Sequence, residues 1–192
     1  MYKFRRCNRL WKLCAEFGAG NTFKNCVNTG TIKSINGGAA GIRSNFVNTY
    51  NCCNLGKAIA GDLLAGYKGV GGISSGAGSD GGAVVNCCSS GQLRKLSGTS
   101  LTQSGFVAKR STCTNCYYLD GIDENIGLTP EAGTTVFYKT SDDPEVMTSA
   151  KVVQALNDYI DAHLNDEDAT TNTSTWLRWR VGTNGLPELI FE

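Results

Sequence analysis

Apolar residues recur along this chain in four patterns. From about residue 20 to 121 they form short β-branched or aromatic runs cut by glycine, such as Phe46-Val47-Asn48-Thr49-Tyr50. Runs of this kind, bounded by turn residues, read as short strands. Over residues 148–164 the spacing becomes helical. Val152, Val153, Leu156, Tyr159, Ile160 and Leu164 share one face, and Thr148 or Ser149 is placed to cap the first turn. Residues 175–181 and 186–191 are two strand-like runs on either side of Asn184-Gly185, a dipeptide that favours a hairpin turn. In the N-terminal stretch, Tyr2, Phe4 and Trp11 line a loose helix face among Arg5, Arg6, Arg9 and Lys12.

The strand region repeats itself. Asn25-Cys26-Val27-Asn28-Thr29-Gly30-Thr31-Ile32 returns as Asn51-Cys52-Cys53-Asn54-Leu55-Gly56-Lys57-Ala58-Ile59, and again as Asn86-Cys87-Cys88-Ser89-Ser90-Gly91-Gln92-Leu93. A worn copy begins at Asn115-Cys116 and reaches Gly121 one residue late. A second motif lies between copies: Gly37-Gly38-Ala39-Ala40-Gly41-Ile42, Gly71-Gly72-Ile73-Ser74-Ser75-Gly76 and Ser104-Gly105-Phe106-Val107-Ala108. Short strands at a repeat of this length predict a β-solenoid whose like positions stack about 4.8 Å apart. Asn25, Asn51, Asn86 and Asn115 are then expected as one ladder, with side-chain amides bonded along the axis. Cys26, Cys52, Cys87 and Cys116 are expected as a second ladder of small buried thiols. The asparagines and the glycines four residues after each cysteine are expected at corners with positive φ. Cys53 and Cys88 have the opposite parity, so truncating them is expected to cost less than truncating Cys52 or Cys87.

The alternation of Asn-Cys-x-Asn-x-Gly-x-Ile with Gly-Gly-Ile-x-Gly resembles the GLUG-type repeats of bacterial cell-surface and secreted proteins. Such repeats occur in adhesin-like proteins and flank IgA-specific metallopeptidases. The resemblance covers residues 20–121, and more loosely Ala155-Leu156-Asn157-Asp158-Tyr159, Trp176 and Leu186-Pro187-Glu188-Leu189. It implies a surface or secreted location and a role in spacing or display. The implied partners are other domains of a longer surface protein or a host or matrix polymer.

The architecture expected is therefore an all-β solenoid over residues 20–121, with an N-terminal helical cap over 1–19 and a small α+β closing segment over 122–192. The closing segment is expected to act as the C-terminal stop of the strand stack. The 24 glycines against 3 prolines suit many tight turns between strands. With 18 basic and 17 acidic residues there is no global field to attract nucleic acid. No apolar stretch is long enough to span a membrane, and basic residues interrupt any signal-peptide core in residues 1–19.

Candidate chemistry is sparse. Nine cysteines cannot all pair, although stacked strands bring cysteines close enough for disulfides between copies. Cys113-Thr114-Asn115-Cys116 is a Cys-x-x-Cys, but its last member already belongs to the ladder. Gly76-Ala77-Gly78-Ser79-Asp80-Gly81 matches a dinucleotide or calcium-repeat pattern by letter, without the strand, helix or tandem copies that give either its meaning. Asp142-Asp143 reads as a solvated helix approach. The single histidine, His163, excludes a His-Glu-x-x-His zinc centre in this chain. Asn172-Thr173-Ser174 fits a glycosylation sequon. Trp176, Arg178 and Arg180 share one parity and are the candidate ligand face. No cofactor and no metal are expected. The leading expectation is a non-catalytic structural or display module. The alternative is a carbohydrate-active β-helix enzyme, which needs acids converging on one face; residues 20–121 offer Asp62, Asp80 and Asp120, each in a different cycle.

Overall fold

The computed structural model describes residues 22–34, 39–42, 48–60, 69–74, 82–95, 102–104, 113–118, 136–137, 148–168 and 171–191. The first Asn-Cys copy supplies β1 (Thr22–Lys24), β2 (Val27–Asn28), β3 (Thr31–Ser34) and β4 (Ala39–Ala40). The second supplies β5 (Asn48–Tyr50), β6 (Cys53–Asn54), β7 (Lys57–Ala60) and β8 (Gly69–Gly71). The third supplies β9 (Val84–Ser89), β10 (Leu93–Lys95) and β11 (Thr102–Ser104), and the fourth β12 (Cys113–Tyr118). Then follow β13 (Val136–Phe137), α1 (Ser149–Ala162), β14 (Trp179–Val181) and β15 (Pro187–Leu189).

Strands from successive copies pair in parallel. The largest sheet has seven strands in the order β1-β5-β9-β12-β13, with β2 and β6 alongside. Two three-stranded sheets follow, β10-β7-β3 and β11-β8-β4, and β14 and β15 form an antiparallel pair. The register aligns like positions of the copies: Val27 with Cys53, Cys53 with Cys88, Cys87 with Cys116, and Ala58 with both Ile32 and Leu93.

This arrangement corrects the expected all-β solenoid. The described strands fall into small separate sheets, parallel and antiparallel, one curled into a half-barrel, and a 14-residue helix is part of the same packed unit. The physical reason lies in the copies. Their starts are 26, 35 and 29 residues apart, and their strands are two to six residues long. Ladder pairing is therefore interrupted at every corner rather than running around a uniform coil. The proposed cap over residues 1–19 lies outside the described residues, as do Gly76 to Gly81, Asp62, Asp80, Asp120, Gly121 and Asp142-Asp143.

Three apolar clusters result. One holds Ile42, Ile73 and Val84 with Cys52, Cys87, Cys113 and Cys116, and another is lined by small residues such as Ala39, Ala58 and Ala60. The third joins Tyr50, Cys53, Cys88 and Tyr117 of the largest sheet to Val152, Val153, Leu156 and Ile160 of α1 and to Trp176, Trp179 and Leu189. The central strands of the largest sheet, β6 and β9, are thus covered on both faces, the usual condition of parallel strands, while β1 at its edge stays largely exposed. The helix was expected at the end of the strand stack but lies across its face. Its apolar stripe needs a partner, and the Tyr50, Tyr117 and Cys53–Cys88 surface offers more area than a single strand end.

Candidate functional site

Two side-chain columns organise the sheet. The first is the asparagine column. Asn25, Asn51, Asn86 and Asn115 all adopt positive φ, between 51° and 54°. Asparagine tolerates this left-handed corner better than other residues with a Cβ. Each side chain then points along the column. Asn51 Nδ2 donates to Asn25 Oδ1 at 2.7 Å, Asn86 Nδ2 to Asn51 Oδ1 at 2.8 Å, and Asn115 Nδ2 to Asn86 Oδ1 at 2.6 Å.

Asn25, Asn51 and Asn115 also bond to the C-terminal segment, while Asn115 Oδ1 accepts from the Tyr117 hydroxyl. Asn25 Nδ2 donates to Thr175 O, Leu177 N–H donates to Asn25 Oδ1, and Asn51 Nδ2 donates to Leu177 O. Trp179 Nε1 donates to Asn51 Oδ1 at 2.6 Å, and Asn115 Nδ2 donates to Ala155 O. The stretch from Thr175 to Leu177, which leaves a turn closed by Trp176 N–H to Thr173 O, therefore bonds through its backbone to the side-chain amides of the column. Trp179 N–H and O are held in turn by Asn157 of α1, which fixes the hairpin, the helix and the column to one another.

A second polar column went unassigned in the sequence, although its residues stand in the repeat. Asn28 and Asn54 are fully buried, and Asn28 Nδ2 donates to Asn54 Oδ1 at 2.8 Å. Gly30 N–H and Gly56 N–H donate to Asn28 Oδ1 and Asn54 Oδ1. The glycines after each Asn-Cys were expected at positive φ; among the described residues Gly185 is the glycine that adopts it. Gly56 and Gly91 are needed for space instead. A Cβ at Gly56 would stand 2.0 Å from Gly30 O, and one at Gly91 would stand 1.9 Å from Gly56 O.

The cysteines of the repeat form the inner column. The thiols of Cys26, Cys52, Cys87 and Cys116 each donate to the carbonyl two residues back, on Lys24, Tyr50, Val85 and Thr114. Cys52, Cys87 and Cys116 are fully buried, Cys113 nearly so, and Cys26 is half-buried. Burial pushes the Cys52 and Cys116 thiols well above their ordinary range. Cys53 and Cys88, of opposite parity, form a disulfide with Cα atoms 4.5 Å apart. Both are fully buried, facing α1. The solvent-facing side on which their lower expected truncation cost rested is therefore absent at this position. Among the described residues no group of histidine, cysteine, aspartate or glutamate side chains is arranged to hold a metal ion.

The three residues of the candidate ligand face have different surroundings. Trp176 is buried against Tyr50 and Tyr159, with ring centroids 5.8 and 6.1 Å away. Arg178 is exposed and bidentate to Asp161, and Arg180 reaches Glu188. An aromatic ring and two guanidiniums of one parity are thus parted: the ring serves the core and the cations are paired outside it. At the end of α1, His163 Nδ1 lies 2.8 Å from Asp166 Oδ2. Hydrogen bonds from Thr171 and then His163 hold the Asp166 carboxyl below its usual range. In the sequon, Thr173 is buried and Asn172 Nδ2 donates to Asp166 O. Among the described residues, no helix is long and apolar enough to cross a membrane. No family model, curated protein or solved structure matches the chain.

Proposed function

We propose that the chain is a non-catalytic structural module of the spacing or display kind, within a bacterial surface or secreted repeat protein. One observation carries this reading: the polar side chains that repeat along the sheet bond to each other and to the C-terminal segment. The asparagine amides bond in series and to residues 175–179, while Arg178 and Arg180 are engaged by carboxylates. Among the described residues, Thr49 Oγ1 is the one buried side-chain oxygen or nitrogen without a partner. A catalytic or binding face holds polar groups in reserve for its ligand; this arrangement spends them on its own cohesion. The surface or secreted setting, with another domain or a host polymer as partner, comes from the likeness of the repeat to GLUG-type sequences. The test is incubation of the purified chain with a panel of neutral and acidic polysaccharides, followed for new reducing or unsaturated ends. No turnover is expected. Turnover abolished by Asp80→Asn overturns the proposal.

A further inference from the structure

The inner column carries a second feature, independent of any role in display. Cys26 and Cys52 hold the same relation as Cys53 and Cys88, which are bridged. Lys24 pairs with Tyr50 and Val27 with Cys53, so Cys26 and Cys52 stand opposite each other on neighbouring parallel strands. The Cys53 N–H bond to Cys26 O at 2.9 Å fixes that alignment. One residue along, the same in-register relation places the Cα atoms of Cys53 and Cys88 4.5 Å apart, within disulfide reach. Both thiols belong to the same apolar cluster, with Cys52 buried inside it and Cys26 packed at its partly exposed edge.

We propose that Cys26 and Cys52 form an oxidation-sensitive pair, in which Cys26 is the thiol that reacts first and a small-molecule disulfide is the oxidant. The Cys26 thiol loses its proton to water, and its sulfur attacks one sulfur of the reagent. The reagent's S–S bond breaks and the departing thiolate takes up a proton. Cys52 then loses its proton and attacks the Cys26 sulfur, expelling the second reagent thiol. Two protein thiols are oxidised by two electrons, and one reagent disulfide is reduced to two thiols. The hydrogen bond between the two side chains lowers the Cys26 thiol from its ordinary value, which favours the first step. Burial raises Cys52, which makes the second step the slower one. The product staples the first Asn-Cys strand to the second, as Cys53–Cys88 staples the second to the third.

The test is disulfide mapping of the folded chain after exposure to glutathione disulfide in mildly alkaline buffer, with remaining thiols alkylated and no reduction step. Trypsin separates residues 25–33 from residues 44–57, which stay joined to residues 69–94 through Cys53–Cys88. The proposal requires residues 25–33 to join this linked pair through Cys26 and Cys52, with the loss of two hydrogens and with the alkyl label on Cys87, which residues 69–94 also carry; a link from Cys26 to Cys87 overturns it. A lasting glutathione adduct on Cys26, a link from Cys26 to Cys7 or Cys14, or an unmodified Cys26 overturns it. A second measurement uses Cys26→Ser, checked for an unchanged circular dichroism spectrum. Loss of the Cys52 thiol should slow by about tenfold or more, because the buried thiol then reacts only through local opening. An unchanged rate in the folded variant means that Cys26 does not react first and overturns the proposal.

Discussion

Replacing Asn51 by alanine tests the asparagine column where it is most heavily used. Asn51 is fully buried and its side chain makes four hydrogen bonds: to Asn25 Oδ1, Leu177 O, Asn86 Nδ2 and Trp179 Nε1. The substitution has two costs. Alanine at a φ of 53° gives up the local compensation that asparagine finds there, a penalty of about 1–2 kcal/mol. Two of the four abandoned partners, Asn86 and Trp179, are themselves buried, and each orphaned group costs about 1–3 kcal/mol. Leu177 and Asn25 are only partly buried and can turn to water. The sum is about 3–8 kcal/mol, a large share of the roughly 5–15 kcal/mol that holds a domain together. Urea unfolding followed by circular dichroism measures it, and Trp179 emission should move as its indole N–H loses its partner. Asn51→Gly should recover about 1 kcal/mol of the loss, because glycine tolerates the corner but restores no hydrogen bond. Asn25→Ala, whose partly buried side chain makes three hydrogen bonds rather than four, should cost about half as much as Asn51→Ala. A loss below about 1 kcal/mol for Asn51→Ala would refute the reasoning, since even one buried orphan exceeds it.

Two further outcomes follow from the same geometry. Gly56→Ala should destabilise far more than Gly185→Ala in the same unfolding assay. The first places a methyl 2.0 Å from Gly30 O on the neighbouring strand; the second meets nothing within 4 Å and costs only its left-handed φ of 76°, about 1–2 kcal/mol. Alkaline titration should show a Tyr117 contribution. Burial, then the charges of Cys116 and Asp158, push its hydroxyl from 10.0 to about 12. The folded chain therefore keeps a proton that the unfolded chain loses, so this contribution is whole below pH 10 and fades as pH rises through about 12. Tyr117→Phe should flatten that part of the stability profile, and an identical slope in both proteins would discount the linkage.

Much of this was legible in the residues because the copies repeat both their chemistry and their parity. Asn25, Asn51, Asn86 and Asn115 occupy equivalent places before a cysteine, and equivalent places on paired parallel strands align. The helix at Val152 to Ile160 and the turn at Asn184-Gly185 are local signals, set by spacing and by backbone preference. What escaped was tertiary. Nothing in the alternation at Cys52-Cys53 and Cys87-Cys88 says that both faces of the sheet are covered, although doubling the cysteine in two copies was the available sign of an inter-strand bridge. The pairing of residues 175–177 with asparagine side chains had no sequence signal, because it is made by backbone groups that every residue carries. Trp176 beside Arg178 and Arg180 looked like a surface face by strict alternation. Trp176 lies between a turn and the start of β14 at Trp179, outside that alternation, and its ring packs beside Tyr50 and Tyr159, where a large apolar ring gains most from burial.

The most direct measurement is nuclear magnetic resonance of the asparagine side chains in the labelled protein. The account predicts slow solvent exchange for the Asn51 and Asn86 amide protons. It also predicts through-hydrogen-bond couplings that connect Asn115 to Asn86, Asn86 to Asn51 and Asn51 to Asn25, in the order of the bonds in the structure. Side-chain amides of Asn51 and Asn86 that exchange as fast as those of exposed asparagines, with no such couplings, would contradict the ladder on which the account rests.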